Sequence, residues 1–133
     1  MNGFEEKMKK ITKKWLEFAD NDLQSAKVLL GSKAHENAIW HCHQAVEKTI
    51  KAIVIEKGIR LRKTHDLIGL VNDAKIDLSK SLSEFIDDLN PYYNPIRYPD
   101  AALESKLSYN RQTTQIIFQK SKEVIQWLKT LIQ

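Results

Sequence analysis

With a single cysteine, Cys42, in 133 residues, the chain has no internal disulfide framework and no thiol set from which a zinc site is built. Glycine and proline are scarce, at four and three residues, and no run of alternating β-branched residues reaches strand length, so the fold class is all-α. No apolar run approaches the ~20 residues that span a bilayer. The first residues, MNGFEEKMKKITKK, carry charges with no apolar stretch after them, unlike a secretory leader. A cytoplasmic protein with no membrane partner is expected. Both Gly-x-x-x-x-Gly-Lys and Gly-x-Gly-x-x-Gly are missing, as is a Gly-Ser followed by paired aspartates such as nucleotidyltransferases use to hold magnesium. No cofactor is expected, and the chain alone is not expected to transfer nucleotides.

What is present is ordinary for a globular chain, 42% hydrophobic and 29% charged. The formal charge of +4 is mildly basic and permits nucleotide or nucleic-acid partners. Length predicts one domain over 1–133, with residues 1–10 as a frayed, lysine-rich start. Lys7, Lys9, Lys10, Lys13 and Lys14 form a basic cluster that solvent alone would satisfy.

The longest helical pattern, residues 34–58, organises the rest. At ~100° per residue, Ile39, Cys42, Val46, Ile50 and Ile53 fall on one flank with Ala45 and Thr49 beside them, and that flank is core. A preceding helix, about 10–30, places Trp15, Leu16, Ala19, Leu23, Ala26 and Leu30 at amphipathic spacing, with Gly31 as its left-handed end. Ser32 is the expected cap of the second helix and Gly58 its close. After the basic connector IRLRK, Thr64 reads as the cap of a short helix burying Leu67, Leu70 and Val71. Ser81 and Glu84 read as a capping box for a fourth, with Leu82, Phe85, Ile86 and Leu89 inward. Residues 90–100, NPYYNPIRYPD, hold all three prolines and read as the one real loop. Asp100 reads as the cap of a final helix carrying Ile117, Val124, Leu128 and Leu131, flanked by Ile125 and Trp127. The expected architecture is an up-and-down bundle of about five helices. Trp40, Val54 and Ile55, off the main core flank of the second helix, predict a homodimer.

Candidate chemistry falls in three places. On the second helix, His41, Gln44, Lys48 and Lys51 share a polar, cationic stripe that suits phosphate; as ordinary solvated side chains they would need no ligand. On the proline-bearing segment, Arg97 can clamp a phosphate and Tyr92, Tyr93 and Tyr98 offer faces to a base; the tyrosines equally serve to plug the bundle end. His65 is the histidine best placed for acid–base work. His41, Cys42 and His43 diverge on a helix and cannot converge on one ion, and His35 faces elsewhere, so no metal site is expected. The adjacent carboxylates Asp87 and Asp88 point apart.

The segment HCHQAVEKTIKA (41–52), followed by Gly58, Thr64-His65-Asp66-Leu67 and Arg97-Tyr98-Pro99, resembles the HEPN family over about Trp15 to Trp127. The Gln-Ala-x-Glu-Lys-x-x-Lys-Ala block carries most of the resemblance. It implies a helical module that binds nucleotide or RNA and forms a toxin–antitoxin pair with a separate minimal nucleotidyltransferase. Many HEPN proteins are ribonucleases using an Arg and a His four to six residues apart, paired across a homodimer. Arg60 and His65 have four residues between them but follow the second helix, where the family's motif lies late in the fold. Arg111 has no histidine after it. The resemblance therefore leaves three readings open. One is a binding module using His41, Gln44, Lys48, Lys51, Arg97 and Tyr98. The second is a metal-independent ribonuclease using His65 with Arg60 or Arg97, and the third a protein-interaction bundle without a small ligand.

Overall fold

A computed structural model describes residues 8–133, and among them the secondary structure is helical without strands. The helices are α1 (Lys10–Leu29), α2 (His35–Glu56), α3 (Leu67–Asp73), α4 (Lys80–Leu89), α5 (Tyr93–Arg97), α6 (Pro99–Glu104) and α7 (Arg111–Lys129), with a 3₁₀ turn at Asn90–Tyr92. The all-α bundle expected from the pattern is thus present, carried by the longer helices α1, α2, α4 and α7. Of the N-terminal basic cluster, Lys7 lies outside the described residues. No helix among the described residues is long and apolar enough to cross a membrane.

Helix α2 is the centre of the packing: α1 lies along it, and α7, α3 and α5 pack against it in turn. Ile39, Cys42, Val46, Ile50 and Ile53 are all fully buried, each large aliphatic contributing about 1.5–3 kcal/mol by leaving water. Val54 is also fully buried, Ile55 is half-buried and Trp40 lies beneath Arg97. The apolar circumference that suggested a second copy is therefore covered within the chain. Leu131, expected inside, is 41% exposed because α7 ends at Lys129.

Helix ends depart from the local signals, because side chains distant in sequence take over the capping. Lys9 at the start of α1 has no cap from its own side chain. Instead the Glu56 carboxylate accepts from the Lys9 backbone N–H at 3.1 Å and from Thr12 Oγ1 at 2.8 Å, and these bonds hold it below the usual carboxylate range. Ser32 does not cap α2; the capping position is Ala34, whose N–H donates to Ser32 Oγ. Gly31 is not left-handed, whereas Gly58 is, at φ 73°, and its N–H closes α2 onto the Ile55 carbonyl. Asp66 replaces Thr64 at the start of α3, where the Leu67 N–H goes to Asn90 Oδ1 at 2.8 Å. Ser79, not Ser81, caps α4, and Asn110, not Asp100, caps α7.

The largest correction concerns residues 90–100. They form the 3₁₀ turn, α5 and the start of α6 rather than a loop. Pro91 and Pro99 sit at first-turn positions, where a missing N–H leaves no bond unmade. The loop proper is 105–110.

Candidate functional site

Spacings of three and four place Trp40, His43, Gln44, Glu47 and Lys51 on one face of α2. His41 and Lys48 lie about a quarter-turn round, toward α1. The single stripe expected from spacing is therefore divided. On the α1 side the buried Asp22 receives His41 Nδ1 at 2.8 Å and Lys48 Nζ at 2.6 Å. On the other side the buried Glu47 receives Lys51 Nζ at 2.9 Å and His65 Nδ1 at 3.0 Å. Three of the four stripe residues are thus ion-paired inside the fold. The fourth, Gln44, is buried with Oε1 unpartnered.

The Glu47 cluster has the geometry of an acid–base site. A carboxylate only accepts, so Nδ1 of His65 carries the proton facing Glu47, and the neutral ring keeps its lone pair at Nε2. Tyr93 lies against this ring, with centroids 4.0 Å apart and planes 13° from parallel. Its hydroxyl is 2.9 Å from Nε2. In so nearly parallel a stack the hydroxyl approaches over the ring face, not along the in-plane lone pair, which stays free. The side chain of His65 is 49% exposed, and with Thr64, Asp66, Asn90, Pro91, Tyr93 and Asn94 it lines a polar cleft of about 510 Å³.

Arg97 reaches this site from α5. Its guanidinium lies 5.2 Å from the Trp40 ring centroid. Burial raises the Tyr93 phenol above its ordinary value, while the nearby Arg97 charge opposes the rise and Tyr98 adds to it. The segment bearing Arg97 and Tyr98 and the Glu47 face of α2 therefore adjoin. Tyr98 itself is 54% exposed, at the extended junction between α5 and α6. Arg60 is placed elsewhere, lining a separate cleft of about 700 Å³ with Ile59, Leu61, Arg62, Lys63 and Asp73.

Beneath Glu47 lies His43, fully buried, with neither ring nitrogen hydrogen-bonded and Nδ1 3.7 Å from Glu47 Oε1. Burial pulls its pKa down to about 4, against which Glu47 acts only in part. It is a neutral wall of the site and not the satisfied histidine that its place near the apolar flank suggests. Cys42 is turned into the core, where burial pushes its thiol up to about 12. Among the described residues no group of three or more His, Cys, Asp or Glu side chains is placed to hold a metal ion.

Comparison with known proteins now decides the kinship. The family model "HEPN domain" matches residues 12–131. The chain belongs to the HEPN family. Among solved HEPN-like structures, that of TT1696 from Thermus thermophilus superposes with a TM-score of 0.78 at 25% identity, over 90% of this chain and 96% of the other. ST0689, described as an archaeal HEPN homologue, superposes at 0.75 and 22% identity over 92% and 98%, which speaks for the fold. The "Putative toxin MJ1304" of Methanocaldococcus jannaschii is 32% identical over 100 residues, 68% of this chain. This HEPN chain spans 65% of that relative's length.

Within the HEPN frame, sequence reasoning passed over Glu47, Tyr93 and Asp22 as site residues. Glu47 had a visible signal, since it stands four before Lys51 and seven after Trp40. Asp22 and Tyr93 had none, because what matters in each is the element it meets.

Proposed function

We propose that this HEPN chain is a toxin-type module that binds RNA or nucleotide phosphate in the cleft beside His65 and works with a separate minimal nucleotidyltransferase. The observation that carries the reading is a half-exposed imidazole oriented through Nδ1 by a buried carboxylate, with Nε2 free in a polar cleft and Arg97 close by. The relative named as a toxin supports the toxin-type part. Because His41, Lys48 and Lys51 already hold carboxylate partners, His65 and Arg97 carry more of the phosphate contact than the α2 stripe. Binding of a short RNA should weaken steeply with salt, and Arg97→Ala should flatten that slope by about one contact. Salt-insensitive binding, or none, refutes the proposal.

A second reading is a metal-independent ribonuclease. The specific feature favouring it is the free Nε2, positioned to take a proton from a ribose hydroxyl while Arg97 stabilises charge on phosphorus oxygens. Arg60, lining a different cleft, is replaced by Arg97 in this reading. Cleavage in EDTA that is lost in folded His65→Ala and Arg97→Ala variants would establish it, and no cleavage by the wild type would remove it.

A further inference from the structure

We propose that the α1 face bearing Trp15 and Phe18 is a stacking platform for the bases of single-stranded RNA, continuous with the His65 cleft. This rests on the RNA-binding reading above and adds where the bases go. Phe18 is 51% exposed and Ile11 52%, and together with Lys14 and Trp15 they line an open cleft of about 230 Å³. Each aromatic ring has a cation over it: Lys48 Nζ lies 5.8 Å from the Phe18 centroid and Lys51 Nζ 5.7 Å from that of Trp15. Both ammonium groups are held in place by Asp22 and Glu47, while Lys10, Lys13 and Lys14 are exposed on the same helix.

Aromatic faces interleaved with cations are what a single strand requires, since bases stack on the rings and phosphates follow the charge. A second copy of the chain fits this face poorly, because a twofold contact would bring one lysine-rich rim against another. Continuity with the cleft follows from the ion cluster. Lys51, over Trp15, is 2.9 Å from Glu47, and Glu47 is 3.0 Å from His65. A strand with a phosphate at His65 therefore has its neighbouring bases directed toward Trp15 and Phe18. The tyrosines of residues 90–100 are not needed as the platform: Tyr92 and Tyr93 are buried.

The test compares binding of a roughly 12-nucleotide single-stranded RNA with an abasic strand of equal phosphate count. Wild type should bind the RNA about tenfold more tightly than the abasic strand. Phe18→Ala and Phe18→Leu should lose that preference while retaining the fold by circular dichroism, and Phe18→Tyr should keep it. Phe18→Leu behaving as wild type would overturn the proposal, because an apolar docking face needs no π-surface. Equal binding of both strands would overturn it too. If RNA binds with the dependence on Arg97 and salt but ignores Phe18, this inference fails while the binding reading stands. If no RNA binds at all, both fall.

Discussion

Removal of Glu47 is the perturbation with the largest consequence that the structure allows to be worked out. Its side chain is 2% exposed and that of Lys51 10%, so Glu47→Ala strands an ammonium group with little water to replace its partner. Breaking a buried pair from one side costs about 3–5 kcal/mol, a large part of the 5–15 kcal/mol typical of a domain. With an unfolding entropy of roughly 2.1 cal/mol/K per residue, a chain of this length should lose about 11–18 °C in Tm. Replacing both groups by apolar residues of similar volume, Glu47→Leu with Lys51→Met, should bring stability back to within about 1 kcal/mol of wild type, because no uncompensated charge remains. The assay is urea unfolding of wild type, both single variants and the double, read as a thermodynamic cycle. The reasoning fails if Glu47→Ala costs less than about 1 kcal/mol, or if the two substitutions simply add.

Two further outcomes follow from groups packed behind the site. The folded chain holds His43 near 4 against an ordinary 6.5, so the unfolded chain binds its proton more readily. That stability is fully present above about pH 6.5 and falls as pH drops toward 4, by about 3 kcal/mol. A His43→Leu variant should lack this part of the acid slope in urea midpoints; an unchanged slope would show that His43 does not titrate as its burial requires. Cys42, fully buried with its thiol pushed up to about 12, should resist a thiol reagent at about pH 8 until urea is added. Rapid labelling of the native protein would contradict the core packing.

The helices and the buried flank of α2 were legible because both follow from periodicity, which is local. The chain ends of those helices were not, since Glu56 caps α1 from 44 residues beyond Thr12 and Asn90 caps α3 from 23 residues beyond Leu67. Residues 90–100 were misread for a related reason: proline excludes a helix interior, but it is compatible with the first turn of a new helix, and three short helical pieces look like a loop to a rule that counts prolines. For the candidate site, His65, Arg97 and the polar face of α2 stood out by residue type. Their partners did not.

By itself, then, the sequence determined the all-α class, the central place of α2, the HEPN kinship and a set of polar residues suited to phosphate. Those depend on composition, on angular spacing along one helix and on short blocks in order. Only the tertiary structure decided that Asp22 and Glu47 divide the stripe into two ion clusters, that Tyr93 stacks on His65, and that Arg97 lies over Trp40 while Arg60 lines another cleft. Charge compensation and ring stacking depend on which elements meet, and a pattern read along a single helix holds no information about the neighbour across the gap.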